Sequence, residues 1–190
     1  MSSRMKFSIC SGVAVLALLL PSAASAAVIY TGTLLGANEV PPSGSGGTGS
    51  IVVTLNGNSL TVNESFSGLT TPAAAAHIHC CGPVGVNEPV AVPFTGFPST
   101  TSGTYMMTFD LTLAATYTAA FVTASGGTAA GAEAALIAAL NSGQTYANIH
   151  DMTFPGGEIR GQLVAVPEPA TVGLLLLGFT AMLNRARKRC

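Results

Sequence analysis

The sequence predicts an all-β domain over residues 27–166, an Ig-like or Greek-key β-sandwich or barrel with one short helical insertion. Three observations carry this prediction. Apolar and polar residues alternate with period two in several short segments. The segments are separated by turns rich in Gly, Pro and Ser, in a chain of 190 residues with 22 Gly and 11 Pro. Only one stretch has a helical composition. Charged residues make up 8% of the chain, about a third of the usual share, but so much Gly, Pro, Thr and Ser argues against a helical membrane bundle.

Residues 1–26 read as a secretory signal peptide. Arg4 and Lys6 precede the apolar run Val13 to Leu20, Pro21 ends it, and Ala24-Ser25-Ala26 supplies the small residues of a cleavage site before Ala27. The run is too short for a spanning helix, which needs about 20 apolar residues. Within the domain, Pro41 to Gly49 and Pro93 to Gly103 have the composition of flexible loops. Ile51, Val53 and Leu55 share one face of a strand, and Asn56-Gly57-Asn58 forms a tight hairpin turn. On the returning strand Leu60, Val62 and Phe66 share a face. Glu64 falls on that apolar phase, which predicts a bulge or a rim position. Tyr105, Met107, Phe109, Leu111 and Leu113 alternate with Met106, Thr108, Asp110 and Thr112, and Ile159, Gly161 and Leu163 form the apolar phase of a final strand. Between them, Ala129 to Leu140 is Ala-rich, follows Thr128 as an N-cap and stops before Gly143, so it reads as the single helix.

Residues 167–190 form a second address. Pro167-Glu168-Pro169 precedes the apolar run Val172 to Leu183, a short transmembrane segment, and the basic cluster Arg185, Arg187, Lys188 and Arg189 holds that end on the cytoplasmic side. These residues resemble the PEP-CTERM sorting signal of Gram-negative bacteria. That resemblance implies transient anchoring in the inner membrane, cleavage by an exosortase, and release to the cell surface or an extracellular polysaccharide matrix.

Charge excludes one class of function. Between Ala27 and Val166 a single basic residue, Arg160, faces seven acids, a net charge of -6. A nucleic-acid groove must neutralise several phosphates with Lys and Arg, so no nucleic-acid partner is expected.

The candidate chemistry lies in two strings. His77 and His79 flank Ile78, and Asn148 and His150 flank Ile149, so strand alternation sends each polar pair to one face. With both isoleucines in the core, all three imidazoles lie on the outer face, and Glu158 and Arg160 also point outward around Ile159. Two imidazoles two residues apart on a strand, with a third from a neighbour, form a nitrogen set suited to zinc or copper. The competing reading is that the histidines brace long loops through backbone hydrogen bonds. Cys80 and Cys81 follow directly and are the cysteines left once both end signals are removed. A bridge between adjacent residues is strained, because trans Cα atoms stand only about 3.8 Å apart. The alternatives are two free thiols or soft metal ligands, and the pair is also a candidate redox couple. No nucleophile elbow or phosphate loop is present, and the spacing of Glu39 and Glu158 does not distinguish them from solvated carboxylates.

Four strings together resemble the CHRD domain: Leu35-Gly36-Ala37-Asn38-Glu39-Val40-Pro41-Pro42, Ala76-His77-Ile78-His79, Tyr146-Ala147-Asn148-Ile149-His150, and Pro155-Gly156-Gly157-Glu158-Ile159-Arg160-Gly161. The resemblance implies an all-β, Ig-like or Greek-key domain without catalytic activity. The expected function is therefore an exported, exosortase-sorted, non-enzymatic module at the cell surface or in the extracellular matrix, with extracellular polysaccharide or surface proteins as partners. The alternative is an extracytoplasmic copper- or zinc-binding domain with redox activity. Its ligands would be His77, His79 and His150, with Glu158 and Arg160 around them.

Overall fold

A computed structural model describes residues 27–167; the expected signal peptide and the sorting signal beyond Pro167 lie outside the described residues. The chain forms strands β1 (Val28–Leu35), β2 (Thr48–Asn56), β3 (Ser59–Ser67), β4 (Ala73–Cys80), β5 (Val90–Pro93) and β6 (Gly103–Asp110). Helices α1 (Ala119–Ala124) and α2 (Ala129–Asn141) follow, then strands β7 (Thr145–Asp151), β8 (Ile159–Gln162) and β9 (Val164–Ala165). All ladders are antiparallel, in the order β5-β4-β7-β8-β1-β2-β3-β6, and β9 continues beside β1 where β8 ends. The fold is mostly β, one continuous sheet curled into a half-barrel with a short helical insertion. Among the described residues no helix is long and apolar enough to cross a membrane.

The core fills the inside of the curl. Ile51, Val53, Leu60 and Val62 belong to one cluster there with Tyr30, Leu34, Ile78, Ile149, Ile159 and Leu163, and Leu136 and Leu140 of α2 join it. Phe66, Phe94, Phe97, Tyr105 and Phe109 stack into a second part of the same core. The β2–β3 hairpin turns on Gly57 and Asn58, with Asn56 paired to Ser59. Gly57 takes φ +55°, and Asn58 keeps a negative φ, the sign pattern of a type II′ turn. On the solvent side of these strands Ser50 pairs with Ser65 at 3.0 Å and Thr61 with Thr108 at 2.9 Å. Polar cross-strand pairs of this kind hold a wet sheet face in register.

The structure departs from the sequence expectations in several places. Glu64 makes no bulge. It pairs in unbroken register with Ile51 and Tyr105 and is completely buried among apolar side chains. Alternation therefore governed the backbone here even though one residue on the apolar phase is an acid. Met107 and Leu113 share the phase of buried residues but are exposed, because β6 is an edge strand and Leu113 lies past its end. Two helices form rather than one. α1 is capped by Thr118 Oγ1, which accepts from Phe121 N–H, as Thr128 Oγ1 accepts from Gly131 N–H to start α2. Of the segment Pro41 to Gly49, flexible by composition, Thr48 and Gly49 belong to β2 and the rest is tied down: Ser43 Oγ donates to Glu158 O at 2.7 Å and Ser45 Oγ to Glu158 Oε1 at 2.6 Å.

β8 runs so close to β1 that a Cβ on Gly161 would lie 2.8 Å from the Thr33 carbonyl oxygen. Gly161→Ala must push two bonded strands apart. The expected loss is about 1–3 kcal/mol, visible as a lower urea midpoint at an unchanged slope.

Candidate metal centre

Register brings the two histidine strings side by side. β4 pairs with β7 so that His77 stands opposite Asn148, His79 opposite Tyr146 and Ala75 opposite His150. β7 pairs with β8 so that Asn148 stands opposite Arg160. Ile78 and Ile149 are buried in the core. Alternation then puts His77, His79, Tyr146, Asn148, His150 and Arg160 on the other face. The ring centroids lie 5.6 Å apart for His77 and His79, 5.1 Å for His77 and His150, and 6.2 Å for His79 and His150. One ligand atom from each of the three lies within 4.8 Å of the others.

This face is only partly open to solvent: His79 is buried, and His77 and His150 are half-buried. The β4–β5 loop folds over it, and Arg160, 2% exposed, anchors the loop. Its Nη1 donates to Asn87 Oδ1 at 2.9 Å and its Nη2 to Val86 O at 2.7 Å. Its guanidinium carbon lies 3.3 Å from the centroid of the Tyr146 ring. Tyr146 in turn stacks on His79 at 4.6 Å and 3°. Arg160 was expected to point outward, and it does leave the core; the loop is what buries it.

Glu158, expected beside the imidazoles, is turned elsewhere. Its buried carboxylate accepts from Ser45 Oγ and from Thr70 N and Oγ1, at 2.6–2.9 Å. Its other oxygen, Oε2, is buried without a hydrogen-bond partner. Its role is to tie two loops to the sheet. Glu39, which its spacing did not distinguish from a solvated carboxylate, is buried as well. Burial pushes its pKa up to about 7, against the opposing effects of the Arg160 charge and bonds from Asn148 and the Val40 backbone. Cys80 and Cys81 are joined to each other as a disulfide across a cis peptide bond. No thiolate is available to a metal in that state.

Proton placement decides what the cluster can do. His79 Nδ1 donates to Glu88 O at 2.6 Å, and His150 Nδ1 donates to Pro155 O at 3.0 Å. A carbonyl only accepts, so both Nδ1 atoms carry hydrogen. Burial depresses the pKa of all three rings. For His77 it does so to about 4, aided by the charges of His150 and His79. Neutral rings therefore present lone pairs at Nε2 of His79 and His150. Both atoms lie 3.0 Å from the Asn148 amide oxygen position. A half turn of that amide presents its two N–H groups, one to each ring, and replaces the N–H that faces Glu39 by the amide oxygen, which only a protonated Glu39 carboxyl can meet with a hydrogen bond. His77 Nδ1 is buried without a partner. Three basic nitrogens thus converge, two of them backed by N–H bonds to carbonyls, the arrangement that orients metal-binding imidazoles. Bonds of about 2.0–2.1 Å in tetrahedral geometry need nitrogens roughly 3.3 Å apart, so the three rings, whose ligand atoms lie within 4.8 Å of one another, would have to draw closer around an ion.

Tyr146 was not foreseen as part of the site, although it lies two residues before Asn148 and so on the same face. The carbonyls of Glu88 and Pro155 carry no side-chain signal in the sequence.

Fold and site define a small antiparallel β domain with an imidazole cluster on a loop-covered sheet face. The CHRD domain family matches residues 30–163, and the chain belongs to that family. No curated protein and no solved structure matches it. The strings of the resemblance meet in space: Asn38 Nδ2 donates to Arg160 O at 3.0 Å, and Arg160 stands opposite Asn148.

Proposed function

We propose that the protein is an exported CHRD-domain protein, sorted by an exosortase after transient anchoring in the inner membrane. In this proposal it acts at the cell surface or in the extracellular matrix as a non-enzymatic module binding polysaccharide or surface proteins. What carries the proposal is a family domain over residues 30–163, flanked by residues 1–26 and 167–190, whose sequences read as a signal peptide and a sorting signal. The proposal also takes the curled sheet as an Ig-like or Greek-key closure, supported by a single core shared by both wings. Mass spectrometry of the exported protein tests the sorting. The expected product starts at Ala27 and has lost the tail; an intact chain through Cys190 from cells with an exosortase would overturn it.

A second reading is favoured by the converging nitrogens: a zinc- or copper-binding domain with His77, His79 and His150 as ligands. Arg160 and Tyr146 would hold the ligands in place from outside. Cys80 and Cys81 remain its candidate redox couple, checked by counting thiols in the exported protein. Zinc at a hundred times its dissociation constant should stabilise the fold by about 2.7 kcal/mol. The gain should vanish with a chelator and in His79→Ala. Protons compete for the same nitrogens, and burial lowers the pKa of all three rings, so affinity should hold at pH 6.5 and fall as the pH drops towards about 4, where His77 takes up its proton. A melting temperature indifferent to zinc and copper, in a chain that His79→Ala still destabilises, would leave the histidines as loop braces.

A further inference from the structure

The two edges of the sheet are treated differently. β5, at one edge, has only four residues, the last of them Pro93, and follows directly on Pro89. Thr118 covers its outer side, donating N–H to Ala91 O at 3.0 Å and Oγ1 to Val90 O at 2.6 Å. Short length, proline and a cap are the usual protections of an edge. β6, at the other edge, has eight residues, no proline, and no charged residue from Gly103 to Phe109.

The hydrogen-bond phase of β6 follows from the contact just beyond it, where Leu111 N–H donates to Asn58 O at 2.8 Å. In an antiparallel ladder alternate residues bond to the same neighbour. Gly103, Tyr105, Met107 and Phe109 therefore turn their backbone groups to β3. Thr104, Met106 and Thr108 turn theirs away from the sheet. Among the described residues these three have no backbone partner on that side. Their side chains are exposed, Met106 by 72%, and Met107 beside it is also exposed.

We propose that β6 is a docking edge for a second copy of this chain, paired antiparallel about a two-fold axis at Met106. Thr104 then faces Thr108 of the other copy, and Met106 faces its own counterpart. The three outward residues repeat symmetrically about their centre, so the edge is complementary to itself and forms about six backbone hydrogen bonds. Charge permits it: no like charges meet across the seven residues from Gly103 to Phe109, as they would if β6 carried the edge lysine that blocks such pairing. The Met106 pair supplies the apolar contact. β5 cannot substitute for β6, because Thr118 occupies its carbonyls, so association stops at two copies instead of running on as a filament.

Sedimentation of the exported protein in EDTA, over rising concentration, tests this independently of any metal. An edge of this size lies below the usual specific interface, so a monomer–dimer equilibrium around micromolar concentration is expected. Met106→Lys places two ammonium groups face to face and should weaken the dimer by roughly a hundredfold, with an unchanged circular dichroism spectrum because the side chain is exposed. In the wild type, the amides of Thr104, Met106 and Thr108 should exchange more slowly in concentrated than in dilute samples. A monomer up to about 1 mM, a dimer that Met106→Lys leaves intact, or exchange at these amides independent of concentration would each overturn the proposal.

Discussion

Glu64→Gln is expected to stabilise the protein at pH 7 by about 2–3 kcal/mol and to flatten its stability between pH 5 and 8. Glu64 is fully buried, and neither carboxyl oxygen has a hydrogen-bond partner. Ile51 lies across from it on β2 and Tyr105 on β6, and the Tyr105 hydroxyl already donates to Thr95 O at 3.1 Å. Burial alone pushes the Glu64 pKa from 4.5 up to about 8. The sign follows from proton counts. Above pH 4.5 the unfolded chain releases this proton, while the folded chain keeps it until about pH 8. The folded state then binds more protons, so stability is complete below pH 4.5 and falls as the pH rises to 8. Each unit of that window is worth about 1.4 kcal/mol, which makes the total loss several kcal/mol. Glutamine keeps the shape and cannot ionise, although its unpaired amide returns part of the gain.

Other groups titrate over the same range. Glu39, raised to about 7, acts with the same sign. His77, lowered to about 4, acts with the opposite sign, because its contribution is lost as the pH falls from 6.5 towards 4. The difference between Glu64→Gln and wild type isolates the one residue. Urea midpoints for both proteins at pH 5, 7 and 8.5 measure it, and parallel pH profiles would show that Glu64 does not titrate across this range.

The same residue shows how far a sequence can be read. Period two was enough to place Ile51, Val53, Leu55, Leu60, Val62 and Phe66 in the core. It also assigned Glu64 to that face, but an acid on an apolar phase invites a bulge as readily as burial. The ladder register that excludes the bulge is a property of three strands together. β1 was missed because Ile29 lies exposed on its polar face and Gly32 interrupts its inner one. β5 was missed because proline stands at its end and just before it.

At the site, alternation gave the common face of His77, His79 and His150. Their approach depends on pairing His77 with Asn148, a long-range register that no local pattern encodes. The burial of Arg160 depends on a loop that chose it as an anchor, and a lone arginine in an acidic domain looks from sequence like any solvated charge. The outcome for Glu158 has a similar cause. Its partners Ser45 and Thr70 belong to loops whose course only the folded chain sets.

Arg160→Met is expected to cost about 3–5 kcal/mol. Methionine can keep an apolar stem against Tyr146, but Val86 O and Asn87 Oδ1 lose a charged donor at 2.7 and 2.9 Å. Each such bond is worth about 1.5–3 kcal/mol when it involves a charged group. The lost contact between guanidinium and ring adds about 1–2 kcal/mol in a desolvated setting, and the terms overlap rather than sum. Glu39 loses the positive charge that lowers its pKa, so its carboxyl should move still further above the ordinary range. The loop consequence reaches the imidazoles. Val86 and Asn87 immediately precede Glu88, whose carbonyl accepts from His79 Nδ1 and whose N–H donates to Tyr146 Oη at 3.1 Å. Releasing the anchor therefore loosens the group that fixes the proton on His79. Arg160→Lys restores the charge but not the two-pronged geometry. Its stability should fall between those of wild type and Arg160→Met. Hydrogen exchange should show the Glu88 amide opening in Arg160→Met well before the Ile78 and Ile149 amides of the core. A loss below about 1 kcal/mol, or equal behaviour of the Lys and Met variants, would mean that the loop holds its place without the guanidinium fork.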